Sequence, residues 1–291
     1  MSDAIRVGLV GFGYASKTFH APLIGGTPGM ALKAVASSDA DKVHADWPGV
    51  KVMSAPGDLL DDPDIDLVVI ATPNDTHFPL AKAALEAGKH VVVDKPFTVT
   101  LSQARELESL AKHCGRILSV FHNRRWDSDF LTVSALINEG QLGEVCYFES
   151  HFDRFRPQVR QRWREQAGPG SGIWYDLAPH LLDQVVVLFG LPVSITVDLA
   201  QLRPGAQSTD YFHAVLAYPQ RRVVLHGTLL AAAESARFIV HGSRASYIKY
   251  GLDPQEERLK NGERLPQEDW GYDMRDGTLT RAEGDERRSE E

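Results

Sequence analysis

The first 121 residues alternate short apolar runs with amphipathic stretches. The apolar runs cover residues 5–10, 32–36, 67–71, 90–93 and 116–121. Several of them are apolar at consecutive positions, which is typical of parallel strands that helices cover on both faces. Residues 78–87 and 101–113 carry apolar side chains at helical spacing. The alternation predicts βαβ units and a doubly wound parallel sheet, an α/β domain that spans residues 1–122.

From residue 123 onward the pattern changes to strands that follow one another. Residues 193–200, 211–218, 221–231 and 237–241 read as strands. One helical pattern runs from about Asp176 to Phe189. We therefore predict an α+β domain over 123–281, with a large, open, mainly antiparallel sheet and helices on one face. The tail, 282–291, has no apolar residue after Ala282, so we expect it to be disordered.

Composition excludes several classes of protein. The chain has 31 Lys and Arg against 39 Asp and Glu, a formal charge of −8 that gives no general attraction to nucleic acid or anionic membranes. The N-terminus lacks the pattern of a signal peptide, and no apolar run reaches the roughly 20 residues of a membrane span. We therefore expect a soluble, cytoplasmic protein. Cys114 and Cys146 have no metal-type spacing, so we expect two reduced thiols.

The first chemical motif joins the first strand to the first helix. Gly11 and Gly13 belong to a G-x-G-x-x-S sequence in which Ser16 replaces the usual third glycine. In a Rossmann domain the first glycine makes a tight turn and the second lets the backbone approach a pyrophosphate. A glycine-rich turn without a ligand is the alternative, and the position at the first βα junction argues against it.

The end of the second strand bears on the choice between NAD and NADP. It reads Ser37-Ser38-Asp39, with Lys42 following. A small hydroxyl at Ser37 tolerates a 2'-phosphate that a carboxylate would repel, and Lys42 supplies a counter-charge, so we predict NADP. Asp39 is expected to cap the next helix. If Asp39 reached the ribose instead, NAD would be favoured.

Two segments follow the ends of later strands and are expected to border the cofactor. They are Thr72-Pro73-Asn74, with His77 shortly after, and Asp94-Lys95-Pro96. A lysine directly after a buried strand can polarise a reacting oxygen, so Lys95 is a catalytic candidate. A solvated lysine and a helix-capping His77 are the alternatives.

A third motif lies within a glycine-rich stretch at residues 168–180. Pro179 suits only the first turn of a helix, which places Asp176 at the helix start and His180 one turn later on the same face. A histidine exchanges protons with an alcohol near neutral pH, and a carboxylate can orient it. The alternatives are an N-cap and a core histidine. No third ligand accompanies the pair in a readable spacing, so we predict no metal site.

Together these motifs resemble the Gfo/Idh/MocA oxidoreductases, a family named for glucose-fructose oxidoreductase and inositol dehydrogenase. The resemblance covers nearly the whole chain, including the segments 122–126 and 162–164. It implies a nicotinamide-dependent enzyme whose catalytic residues are Lys95, Asp176 and His180. Asp94 stands where the family usually has Glu. The 122–126 and 156–164 stretches look most like the NADP-dependent scyllo-inositol dehydrogenase branch.

The resemblance also implies a cofactor site that draws on both domains. Its expected residues are Gly11, Phe12, Gly13, Tyr14, Ala15, Ser37, Ser38, Lys42, Thr72, Pro73, Asn74, His77, Lys95, Pro96, Asn123, Trp163 and Arg164. The expected substrate is a sugar, polyol or cyclitol, oxidised or reduced at a hydroxyl carbon held between Lys95 and His180. Arg154 and Arg156 share one side of a strand and are candidates to meet an anionic substrate.

Two expectations concern the protein as a whole. Apolar residues on both faces of strands such as 223–230 predict a homo-oligomer that forms through the open sheet. A regulatory protein that binds the cofactor without catalysis remains the alternative to an enzyme, because fold alone does not fix function. Relatives usually continue for several tens of residues past the end of this chain, so we expect it to be shorter than they are.

Overall fold

The computed structural model of the chain describes residues 4–265, 267–283 and 286–290. Its strands are β1 (Ile5–Val10), β2 (Met30–Ala36), β3 (Lys51–Met53), β4 (Leu67–Ile70), β5 (His90–Val93), β6 (Leu118–Val120), β7 (Val145–His151), β8 (Ser194–Ala200), β9 (Tyr211–Ala217), β10 (Arg222–Thr228), β11 (Ala236–Gly242), β12 (Ala245–Tyr250), β13 (Thr278–Glu283) and β14 (Glu286–Glu290). Its α-helices are α1 (Ala21–Gly26), α2 (Ala40–Asp46), α3 (Pro56–Leu60), α4 (His77–Glu86), α5 (Leu101–Cys114), α6 (Ser128–Asn138), α7 (Gly172–Phe189) and α8 (Gln255–Lys260).

The chain forms two compact units. The first comprises Met1–Phe121 with Gln255–Trp270, and the second comprises His122–Pro254 with Gly271–Glu291. The sequence boundaries differ from this division because they assign 255–270 to the C-terminal domain. The segment instead packs on the first unit, where Leu265 lies so close to Gly26 that a Cβ on that glycine would be 2.8 Å from the Leu265 Cβ.

The first unit contains a six-stranded parallel sheet. Its strand order is β3-β2-β1-β4-β5-β6, the order of doubly wound dinucleotide-binding folds. The predicted parallel sheet is therefore confirmed. The central strands β1, β4 and β5 are buried on both sides, which explains their continuous apolar sequence. Their carboxyl ends lie at the same edge of the sheet, where the glycine turn and the segments after β4 and β5 begin.

The second unit contains an eight-stranded sheet of order β14-β13-β12-β11-β7-β10-β9-β8. Every neighbouring pair is antiparallel except β7 with β10, which is parallel, so the predicted mainly antiparallel sheet is confirmed. Helix α7 packs its apolar side chains against one face of this sheet, where Leu181 joins Phe148 and Leu225 in the core. Because side chains alternate along strands, the neighbouring positions lie on what we call the second face of the sheet.

The tail is not disordered where the structure describes it. Strand β14 pairs with β13 as an antiparallel hairpin. Thr280 and Ser289 share a hydrogen bond of 2.8 Å, and Arg281 Nε donates to Glu290 Oε1 at 2.9 Å. Ladder bonds and cross-strand polar pairs form without apolar side chains, which is why a count of apolar residues gave the wrong prediction here. Residues 284, 285 and 291 of the predicted tail lie outside the described residues.

Within the described residues, no helix is both long enough and apolar enough to cross a membrane.

Candidate functional site

The glycine turn of the first unit has the geometry that a phosphate-binding loop needs. Gly11 has a φ of +88°, and a Cβ there would lie 2.9 Å from the Ala71 carbonyl oxygen. Only glycine fits such a position. No atom of the described residues lies within 4 Å of the place where a Cβ on Gly13 would be, so its backbone is open to a ligand. The following helix begins as a π-helix at Ser16–His20.

A cleft of about 780 Å³ opens beside this turn. Of the predicted cofactor residues, those that line it are Gly11, Phe12, Gly13, Ser37, Ser38, Lys42, Thr72 and Pro73. Its volume and its mixture of backbone, hydroxyl and cationic groups fit part of a dinucleotide. The structure therefore brings together the residues that the sequence selected at the ends of β1, β2 and β4.

Asp39 behaves as the predicted helix cap. Its Oδ1 accepts the Lys42 backbone N–H at 2.9 Å, at the start of α2. The Ser37 hydroxyl, at the end of β2, accepts a hydrogen bond from the Asp39 backbone N–H at 3.2 Å. Asp39 also lines the cleft, and its carboxylate adds negative charge there.

The imidazole of His77 lies between two backbone carbonyls. The side chain is fully buried, its Nδ1 lies 2.8 Å from the Pro96 carbonyl oxygen, and its Nε2 lies 3.0 Å from the Thr72 carbonyl oxygen. A neutral ring has one N–H and donates it to one of these two carbonyls. His77 therefore connects the two segments that follow β4 and β5. Asn74 is also buried, in the 3₁₀ turn Asn74–Thr76.

Asp94 and Lys95 form a compact polar group at the end of β5. Asp94 Oδ1 accepts the backbone N–H of Lys95 at 2.8 Å and lies 3.9 Å from His20 Nε2. Burial acts to raise the pKa of Asp94, but His20 and Lys95 outweigh it and hold that pKa below its usual value. Sequence reasoning missed His20, since a histidine in a helix gives no signal of its partner 74 residues away. Lys95 itself is half-buried, and its peptide bond to Pro96 is cis.

Tyr14 and Ala15 lie at the start of the π-helix. The Tyr14 hydroxyl donates to Glu256 Oε1 at 2.8 Å, in the α8 segment that the sequence assigned to the other domain. Burial and the Glu256 carboxylate raise the pKa of Tyr14, so the phenol stays protonated. This bond anchors α8 to the first unit.

In the second unit, α7 carries both Asp176 and His180. The helix begins at Gly172, four residues before the predicted start, and Pro179 lies inside it. The prediction was wrong because Gly172, with a φ of +82°, turns the chain against Thr209, and the Thr209 carbonyl accepts the Ile173 N–H at 2.7 Å. Pro179 only removes one bond within an otherwise packed helix. Asp176 and His180 still share a face one turn apart.

Arginines surround Asp176. Its carboxylate lies 3.6 Å from Arg164 Nε and 4.0 Å from Arg154 Nη1. Arg156 and Arg162 line the same small cavity, and burial together with its arginine neighbours lowers the pKa of Arg156. The positive charge near Asp176 therefore exceeds the negative charge, which favours anions.

The remaining predicted residues also lie in the second unit. His180 is buried, with its ring 6.2 Å from that of Phe152. Asn123 begins the 3₁₀ helix Asn123–Trp126, and Trp163 begins the 3₁₀ helix Trp163–Glu165. The Arg164 guanidinium stacks over the Trp163 ring at 4.5 Å, which gives this turn a fixed cationic surface.

Comparison with known proteins accounts for this combination. Residues 5–122 match the family model for the NAD-binding Rossmann fold of the Gfo/Idh/MocA oxidoreductases, and residues 134–291 match the model for their C-terminal alpha/beta domain. The chain belongs to the Gfo/Idh/MocA oxidoreductase family. As a family member it is an oxidoreductase with an NAD(P)-binding domain.

Individual relatives agree with this assignment. The chain is 82% identical to YdgJ of Escherichia coli, an oxidoreductase named as uncharacterized, over 99% of this chain and 83% of YdgJ. It is 37% identical to IolW of Bacillus subtilis, an NADP(+) scyllo-inositol 2-dehydrogenase, over 99% of this chain and 81% of IolW. A solved structure of a candidate oxidoreductase from Yersinia pestis is 69% identical, covers 100% of this chain and 82% of its own, and has a TM-score of 0.95.

Proposed function

We propose that this oxidoreductase acts on a hydroxyl-bearing carbon of a sugar or cyclitol and prefers NADP. The observation that carries the proposal is the Asp94–Lys95 group at the end of β5, at the same sheet edge as the glycine turn. A cation held in that position is suited to a reacting oxygen. The likeness to IolW supports a cyclitol such as scyllo-inositol as a substrate to try first.

The cofactor part of the proposal rests on the cleft of the first unit. Gly11 and Gly13 would hold the pyrophosphate, and Ser37 and Lys42 would hold a 2'-phosphate. When bound, the nicotinamide accepts or supplies the hydride. Asp39 is engaged as the cap of α2, which supports NADP over NAD because a capping carboxylate is less available to ribose hydroxyls.

We assign separate roles to the three catalytic candidates. His180 takes the proton of the substrate hydroxyl as a general base, and Lys95 stabilises the developing negative charge on that oxygen. Asp176 was predicted to orient the substrate or the imidazole. Its neighbours Arg154 and Arg164 support the first of these roles, because they fix the carboxylate where it can accept from substrate hydroxyls.

The arginines around Asp176 favour anionic members of the substrate class. Arg154, Arg156, Arg162 and Arg164 line one small cavity with a single aspartate and Glu165. Guanidinium groups pair well with carboxylates and phosphates. Sugar acids therefore belong in the test beside neutral cyclitols and aldoses.

The proposal is tested with a panel of cyclitols, aldoses and sugar acids, followed by NADPH absorbance. On the best substrate, His180→Ala is expected to lower kcat by about a hundredfold to ten-thousandfold while NADP affinity stays the same. Lys95→Ala should lower kcat and flatten its pH profile. His113→Ala, on α5, is the matched control and should leave both unchanged.

A cofactor-binding regulatory protein is the alternative. Such a protein would bind NADP and turn over no member of the panel, and His180→Ala would not change its NADP affinity. Near-normal turnover in both variants on an active substrate would instead rule out the assigned roles.

A further inference from the structure

Three histidines lie side by side on the second face of the sheet in the second unit. His213 on β9 is paired in register with His226 on β10, and His226 is paired with His151 on β7. The ring centroids of His151 and His226 are 5.2 Å apart, and those of His213 and His226 are 5.5 Å apart. The row is on the face opposite α7, since the neighbouring Phe212 and Phe152 belong to the core under that helix.

A carboxylate completes this row. Asp153 lies two residues after the end of β7, with Oδ2 3.1 Å from His151 Nδ1 and Oδ1 3.6 Å from His226 Nε2. One ligand atom from each of the three side chains lies within 4.8 Å of the others. In a tetrahedral zinc site with bonds of about 2.0–2.1 Å, ligand atoms lie about 3.4 Å apart. The three ligand atoms would therefore have to move closer together, from separations of up to 4.8 Å, to surround an ion.

Outer partners aim the ring nitrogens toward that common point. Glu149 Oε1 lies 2.6 Å from His151 Nε2 and accepts its N–H, so an ion that replaces the proton between His151 Nδ1 and Asp153 Oδ2 would bind the lone pair of Nδ1. His213 Nδ1 lies 3.4 Å from His226 Nδ1. When His226 carries its proton on Nδ1 and donates it to His213, the lone pair of His226 is on Nε2. Metal-binding histidines characteristically have such a second hydrogen bond, often to a carboxylate. Tyr147 in turn donates to Glu149 Oε2 at 2.5 Å.

Burial gives an independent indication of a cation. The Asp153 side chain is only 8% exposed, and within the described part of the chain no group donates a hydrogen bond to its buried Oδ1. A buried oxygen that accepts no hydrogen bond costs free energy, and a bound cation would satisfy it.

We propose that His151, Asp153 and His226 bind a divalent transition-metal ion of the zinc type, with Glu149 and His213 as positioning residues. The site departs from the sequence prediction of no metal, and it is separate from the Asp176–His180 pair. The ion would connect β7 to β10, the parallel pair of this sheet. Nitrogen and oxygen ligands of this kind suit Zn²⁺ and Co²⁺ better than Mg²⁺ or Ca²⁺.

The test uses the full chain without an affinity tag, stripped of metal with a chelator. Zn²⁺ is titrated by calorimetry, and Co²⁺ by its visible absorption bands. We expect one equivalent to bind, with tetrahedral-type Co²⁺ bands. His226→Gln and Asp153→Asn should each weaken binding at least tenfold. His241→Gln, a histidine of the same face on β11, is the matched control and should leave the affinity unchanged.

A second variant guards against loss of folding. Glu149→Gln keeps all three ligands, and the loss of such an outer carboxylate typically weakens metal binding by 10–100-fold. Zn²⁺ should also raise the Tm of the unaltered protein, and Mg²⁺ should not. The proposal would be overturned if neither Zn²⁺ nor Co²⁺ binds, if Zn²⁺ does not raise the Tm, or if the Asp153, His226 and Glu149 variants bind Zn²⁺ as tightly as the unaltered protein. It would also be overturned if His180→Ala loses Zn²⁺ binding while His226→Gln retains it.

Discussion

At the scale of single residues, Asp94 keeps a negative charge beside Lys95. The resemblance gives Glu at this position, before the lysine that is our catalytic candidate, and Asp94 is one methylene shorter. Its carboxylate turns back to the Lys95 backbone N–H and faces His20. The negative charge thus stays next to Lys95, although burial opposes it. We infer that the substitution is conservative because His20 lies close enough to stabilise the charge.

The proposed preference for NADP rests on a few side chains at the end of β2. We expect NADP to bind more tightly than NAD, and Lys42→Ala to weaken NADP binding about tenfold with little change for NAD, since one charge-assisted contact to phosphate is lost. Fluorescence titration of both cofactors measures this. Lys33→Ala, an exposed lysine on β2, serves as the control. Tighter binding of NAD to the unaltered protein would contradict the prediction.

The carboxyl of Asp127 predicts how stability depends on pH. Burial, together with the charges of Asp129 and Asp253, raises the pKa of Asp127 to about 6 despite its pair with Arg124. Between about pH 4 and pH 6 the folded chain retains a proton that the unfolded chain has lost, so this group makes the free energy of unfolding fall as pH rises. Two pKa units correspond to at most about 3 kcal/mol.

We therefore expect the stability of the unaltered protein, measured relative to Asp127→Asn, to decrease across this window. Urea unfolding at pH 4, 5, 6 and 7 tests the expectation. The same comparison with Asp58→Asn, an exposed carboxylate on α3, should give a flat difference. A flat difference for Asp127→Asn as well would refute it.

At the scale of elements, α7 shows both the reach and the limit of sequence reasoning. The apolar stripe correctly indicated a helix through Phe189, and the spacing of Asp176 and His180 put them on one face. The predicted start of α7 was four residues too late, because proline is usually found in the first turn of a helix and Pro179 lies farther inside this one. What overrides that preference is tertiary: Gly172 packs against the Thr209 backbone, and Ile173 enters the core. A sequence alone does not contain this contact.

Strand prediction succeeded for most of both sheets and failed for β7. The strands β1, β4 and β5 have near-continuous apolar sequence and were found. Strand β7 was missed because Ser150 faces the core, where Arg237 donates to its hydroxyl. The alternation of Glu149, His151 and Asp153 is the signal that could have revealed it, since positions two apart share a strand face.

Helix α7 is expected to depend on one buried leucine. Leu181 is fully buried between α7 and the sheet, so Leu181→Ala should lower the free energy of unfolding by about 2–5 kcal/mol. Chemical denaturation measures the loss. Val187→Ala, at a position on the same helix that is 49% exposed, should change stability by less than about 0.5 kcal/mol. Equal effects would mean that the helix is not anchored through this face.

At the scale of the whole molecule, we expect a homo-oligomer formed through the second face of the large sheet. Ile239 and Ile248 are neighbours in register on this face and are only partly covered within the chain. Ile248→Asp should therefore shift the mass measured by light scattering toward a monomer. Leu101→Asp on α5, where the leucine is 64% exposed, should not. A monomer at micromolar concentration in the unaltered protein would contradict the prediction.

The return of Gln255–Trp270 to the first unit has a consequence for how the protein is made. Because the chain leaves that unit at Phe121 and re-enters it at Gln255, the bond from Tyr14 to Glu256 and the contact of Gly26 with Leu265 join residues about 240 positions apart. A ribosome releases the N-terminus first. The surface around Tyr14 and Gly26 therefore stays uncovered until Gln255–Trp270 has been synthesised, and a gene fragment that ends after β6 would encode the first unit without this segment.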